Sequence, residues 1–196
     1  ITFNKPADTI FGAGTVTLAA SATSALAVSF ASTTTGVCTT GGTNGATVTL
    51  VGAGACSITA SQAGAATWQA APDVVQSFAV AKAPQAITFT STPPSPAFAG
   101  ATYTIAATGG ASGNPVVFAL DGASTSGACT ISGSTVSLTG TGTCLVNATQ
   151  AGNANYDAAA QKQQSITVNK SAQTITFTST PPSPATVGST YTVTAT

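Results

Sequence analysis

The chain has 196 residues, carries a formal net charge of zero, and is 43% hydrophobic but only 4% charged. Its charged residues are Lys5, Lys82, Lys162 and Lys170 with Asp8, Asp73, Asp121 and Asp157, and it contains no His, Glu, Arg or Met. That composition excludes a phosphate-binding basic surface, leaves no apolar run near the ~18–20 residues a spanning helix needs, and is too apolar for disorder.

The sequence repeats itself. Ile1-Thr2-Phe3, Ile87-Thr88-Phe89 and Ile175-Thr176-Phe177 open three copies, and the second and third share an eleven-residue run at 87–97 and 175–185. Self-similarity on this scale marks an array of domains. The expected units are 1–82, 83–170 and 171–196, the last being only the start of a third repeat, so the chain reads as a section of a longer array. In the first unit Val16, Leu18 and Ala20 alternate with Thr15 and Thr17, as a half-buried strand requires. Val28 and Phe30, Val48 and Leu50, Ile58 and Ala60, and Phe78 and Val80 continue the pattern.

The linker Ala81-Lys82-Ala83-Pro84-Gln85-Ala86 is short and free of Gly, which predicts a stiff connection. In the second unit Thr92-Pro93-Pro94-Ser95-Pro96 lacks the donors of a central ladder, so it is expected at an edge or as a crossover between sheets. Tyr103, Ile105 and Ala107 form the next inward set. Val116 and Phe118, Val136 and Leu138, Val146 and Ala148, and Ile166 and Val168 each fall 88 residues after a pair in the first unit. Ile131–Val136 reads as a hairpin turning at Gly133. The linker Asn169–Thr174 leads to the third copy, where Tyr191, Val193 and Ala195 repeat the inward set. The pattern predicts an all-β chain of two-sheet antiparallel sandwiches, with about seven strands in each unit.

Each full unit holds two cysteines, Cys38 with Cys56 and Cys129 with Cys144. Pairing within units closes short loops, each bridge worth about 3 kcal/mol. Cys56 and Cys144 fall in the inward sets of their strands. A zinc site is the alternative, but it needs four ligands and a unit supplies two Cys, no His and scarce carboxylates. Disulfides imply an oxidising compartment.

Three stretches recur in both units: Thr135–Leu138, Gly140–Cys144 and Gln150–Tyr156, matching Thr47–Leu50, Gly52–Cys56 and Gln62–Trp68. With these the chain resembles the bacterial Ig-like tandem repeats of large secreted and cell-surface proteins. The resemblance implies Ig-like sandwiches and an extracellular or cell-surface location. It is unspecific for function, because such domains serve as spacers, adhesive modules and assembly modules alike.

No residue set suits catalysis, since a nucleophile has no base beside it and no metal ligands cluster; no cofactor is expected. Asp121 and Asp157 are read as solvated loop residues rather than calcium ligands. Trp68 and Tyr156 occupy equivalent places after the penultimate strand. They are read first as plugs closing one end of each sandwich, and second as ligand-facing aromatics for a glycan. Asn147-Ala148-Thr149 and Asn169-Lys170-Ser171 match the glycosylation sequon. Outer faces of Thr, Ser and Ala, with so few charges, favour packing against copies of the same chain. The expected function is a non-catalytic structural rod within a self-associating surface filament, sheath or adhesin stalk, its partners being copies of itself. The alternatives are a module binding surface glycans or host protein, and a decoration domain of a phage virion.

Overall fold

The computed structural model describes residues 1–196. β-Branched and aromatic side chains at alternate positions favour extended backbone, and Gly or Pro ends each run. The chain is therefore built of short strands, with a single three-residue 3-10 turn at Thr43–Gly45.

Residues up to Ala81 form β1 (Thr2–Phe3), β2 (Thr9–Ile10), β3 (Thr15–Thr17), β4 (Ala20–Ser21), β5 (Ser29–Ser32), β6 (Cys38–Gly41), β7 (Thr47–Leu50), β8 (Gly54–Gln62) and β9 (Ala71–Ala81). One layer runs β2-β9-β8-β5. Its β2–β9 pair is parallel and the other pairs are antiparallel. The facing layer is made of β3-β7-β6 and the pair β1-β4, all antiparallel. Val16, Leu18 and Ala20 keep one inward period through β3 and β4, so these two short sheets share a face.

The second set is β10 (Thr88–Phe89), β11 (Ala97–Phe98), β12 (Thr102–Thr104), β13 (Ala107–Thr108), β14 (Val116–Leu120), β15 (Cys129–Ser132), β16 (Thr135–Leu138), β17 (Gly142–Gln150) and β18 (Lys162–Asn169). It repeats the same order: β11-β18-β17-β14 faces β12-β16-β15 with β10-β13. No strand of one set pairs with a strand of the other. The chain thus contains tandem Ig-like antiparallel β-sandwiches, each with nine strand segments. The excess over seven arises because the first strand of each unit crosses from one sheet to the other, and the second changes partner midway. The crossover in the second unit is the proline-rich segment Thr90–Pro96, between β10 and β11, with a cis bond before Pro96. In the first unit Asp8 stands in that place, and its carboxylate accepts the Ala79 N–H at 2.8 Å.

Each unit has its own core. Phe3, Phe30, Val48, Ile58, Phe78 and Val80 meet between the layers of the first. Tyr103, Ile105, Val136, Leu138, Val146 and Ile166 do so in the second. A disulfide ties the layers of each unit together: Cys38 on β6 to Cys56 on β8, and Cys129 on β15 to Cys144 on β17, with Cα atoms 5.7 and 5.8 Å apart. The β15–β16 hairpin turns at Gly133, whose φ of 57° is costly for other residues.

In residues 171–196, expected only as the start of a repeat, the inward set Tyr191, Val193 and Ala195 is not buried. The segment forms one antiparallel bridge, Phe177 with Ala195. Tyr191 and Val193 lie exposed, as do Ile175 and Phe177. Phe3 is buried by later strands of its own unit; the third copy has no such strands in this sequence to cover Phe177.

Replacing Cys38 and Cys56 together by Ala should destabilise the first unit by about 3 kcal/mol. Urea unfolding with and without reductant checks this: the variant and the reduced native protein should shift to similarly lower midpoints.

Candidate functional site

The residues with the most specific geometry outside the two cores lie where the units meet. The linker emerges from β9 and enters the second unit at Ile87, which is buried. Ala83 within it is also buried. Its N–H donates to the Asn155 carbonyl at 2.9 Å, and the Asp157 N–H donates to the Ala83 carbonyl at 3.0 Å. The linker is thereby added as a parallel bridge alongside Tyr156. Lys82 Nζ donates to the Asn153 carbonyl at 2.7 Å. Gln85 straps the other side, donating to the Ala151 carbonyl at 3.2 Å and accepting the Ser112 N–H at 3.0 Å.

The loop that receives the linker follows β17 and is shaped from within. Asn153 Oδ1 accepts the N–H groups of Asn155 and Tyr156 at 2.8 and 2.9 Å, an Asx turn. Its amide also donates to the Ser112 carbonyl. Gln150 at the end of β17 is buried. It accepts the Gly110 N–H at 2.7 Å and donates to the Asn114 carbonyl at 2.8 Å. Gly152 permits the tight return: a Cβ there would stand 2.7 Å from the Ala158 nitrogen.

Two side chains of this loop reach across to the first unit. Asn155 Oδ1 accepts the Ala53 N–H at 3.0 Å, against the buried Gly52. The Tyr156 ring meets Phe11 edge to face, with centroids 5.6 Å apart and planes at 87°. An aromatic pair of this geometry contributes about 0.5–1.5 kcal/mol beyond its buried area. Phe11 is positioned by its own N–H bond to the Ala81 carbonyl, directly after β2.

The plug reading of the aromatics needs correction. Tyr156 packs against Phe11 of the other unit, and Trp68 is 50% exposed rather than sealed as a plug. Trp68 and Tyr156 therefore share a loop type but not an environment. Of the sequon asparagines, Asn147 lies within β17 and donates to Asp121 Oδ2 at 2.7 Å, while Asn169 donates to the Ala97 carbonyl. Asp157 contributes its main chain to the joint. The sequence reading gives Phe11 no role, and it places Ala83, Gln85 and Asn155 only within the linker and the recurring loop, not in a joint. The recurrence of Gln-Ala-Gly-x-Ala-x-aromatic beside a linker of fixed length was the available signal.

Two carboxylates are held below their ordinary range. For Asp8 the main cause is the Lys5 ammonium, 2.8 Å away, followed by the Ala79 N–H. For Asp121 it is the Ala123 N–H at 2.9 Å, then the Asn147 amide.

No family model matches the chain, and no curated protein does. Among solved structures, a mouse cadherin-23 fragment, EC22-24, aligns at 14% identity with a TM-score of 0.38, over 87% of this chain and 64% of that one. Drosophila N-cadherin EC1-4 aligns at 14% identity with a TM-score of 0.31, over 85% and 50%. The chain spans less than two thirds of the length of either.

Because Asp8 and Asp121 ionise more readily when folded, their stabilisation is present above the unfolded carboxylate pKa and is lost as pH falls through the folded value. Thermal melts followed by circular dichroism should hold steady near neutrality and drop below about pH 4. Asp8→Asn with Asp121→Asn should flatten that acid limb.

Proposed function

We propose that the chain is a non-catalytic, extracellular structural section of a tandem-repeat protein, a semi-rigid rod of sandwiches that associates with copies of itself in a surface filament, sheath or stalk. The observation that carries this reading is the joint. Ala83 is hydrogen-bonded on both sides, the Asn155 amide oxygen accepts from Ala53, and Tyr156 meets Phe11 edge to face. A linker built into the second unit in this way restricts the hinge between the two.

Self-association draws support from the sheet edges. The edge strands β5, β6 and β15 contain no charged residue or proline and have none directly beside them, and the edge strand β14 exposes Val117. Natural edges are normally guarded by charge, proline or a bulge against pairing with another chain. The disulfides favour an oxidising environment, and no helix is long and apolar enough to cross a membrane.

Small-angle X-ray scattering of the chain should fit one fixed arrangement of the two sandwiches, and the double variant Asn155→Ala, Tyr156→Ala should scatter as a hinged pair. Scattering from the native chain that already requires a broad ensemble would refute the rod. For assembly, electron microscopy of concentrated protein should show bundles or fibres; isolated single rods at every concentration count against it.

A further inference from the structure

The joint raises a question about the other end of the first unit. Trp68 lies 88 residues before Tyr156, in the repeat's own register. The two loops close with an equivalent main-chain bond, although Gly64 has a φ of 81° and the Trp68 N–H returns to the Ala65 carbonyl where the Tyr156 N–H goes to the Asn153 side chain. The Ala65 N–H donates to the Trp68 carbonyl at 2.9 Å, as the Asn153 N–H donates to the Tyr156 carbonyl at 2.9 Å. A Cβ on Gly64 would stand 2.7 Å from the Ala70 nitrogen, and one on Gly152 the same distance from the Ala158 nitrogen. In one loop the half-buried Tyr156 packs on Phe11 of the preceding sandwich; the other presents a half-exposed indole.

We infer that the Trp68 loop is a docking surface for the C-terminal pole of another repeat of this chain's own kind, joined ahead of Ile1 through a linker like Lys82–Ala86. This rests on the reading of the joint as a rigid rod connection and extends it in the opposite direction. The pole in question offers an aromatic ring at the place of Phe11, a main-chain N–H at that of Ala53, and a linker residue to bridge at that of Ala83. Continuity with the observed joint selects this partner over a sugar, because the loop at the equivalent place in the second unit is already seen against such a pole. The recognition is weighted differently in the two loops. Ala65 and Thr67 stand where Asn153 and Asn155 stand, so the amide that reaches Ala53 is missing from the Trp68 loop. The indole instead supplies a larger apolar surface than a phenol. Poles are not interchangeable either: the second unit has Ala99 where the first has Phe11, so the fitting partner is a pole of the first unit's type.

The chain has a single tryptophan, which makes the test direct. A second copy of residues 1–86, itself carrying Trp68→Phe, is joined ahead of Ile1. Its sheets, core and disulfide are all internal to residues 1–81. Docking should shift the Trp68 emission to shorter wavelength and reduce its quenching by acrylamide, and Phe11→Ala in the added copy should reverse both. A separate measurement calibrates the docked state in the chain itself: Trp68→Phe with Tyr156→Trp places the only indole in the observed joint. If that indole is protected while Trp68 in the extended chain stays as exposed as before, the inference is overturned and the joint stands. If the indole at 156 is as exposed as Trp68, the joint fails and the inference with it.

Discussion

The covalent tie between the two layers is the constraint on which each unit depends. A repeat of under 90 residues buries little apolar volume, and here much of the interior is Val, Ala and Cys rather than large side chains. Cys38–Cys56 and Cys129–Cys144 lie inside these cores and join the fourth main strand of one sheet to the sixth of the other. They limit the separation of the layers in the unfolded chain as well as in the folded one. With the layers held, surfaces of Thr and Ser suffice, and the outer faces are free of any need for buried charge or large aromatics.

The second level of organisation is economical. Individually, the contacts between units are modest: a neutral hydrogen bond contributes about 0.5–1.5 kcal/mol, and the aromatic pair about as much. Their effect is amplified by tethering, since a short linker keeps its two ends at effective concentrations in the millimolar range. The linker is itself part of the contact. Ala83 forms the bridge to Tyr156, so little chain remains free to move once the loop is engaged. Gln85 and Lys82 then fasten the linker to either flank of the receiving loop.

The sandwiches were legible in the sequence because period-two alternation and the 88-residue register constrain each other. Val48 and Val136, Ile58 and Val146, and Val80 and Val168 are inward in the alternation and buried in the fold. The crossover at Thr92–Pro96 was legible for a chemical reason, the missing donors. What escaped was the joint, and the reason is physical. Ala83 contributes only main-chain groups, which any residue but proline supplies, and Phe11 follows a two-residue strand whose pairing partner is 71 residues away. The aromatics were recognised as equivalent yet assigned inward, because composition suggested a shortage of core volume. In the fold Tyr156 meets Phe11 of the other unit and Trp68 is half exposed. The third copy shows the limit of alternation: Tyr191 and Val193 carry the right period but meet no opposing layer.

One feature of the strand order bears on how such an object resists being stretched. In both units the first strand, after its crossover, runs parallel to the last, β2 beside β9 and β11 beside β18. A pull along the array drags these two strands past each other lengthwise. The hydrogen bonds between them then share the load together instead of parting one by one from an end. The seam is two residue pairs long in each unit, and beyond it the cystine in each interior still limits how far the unit can extend.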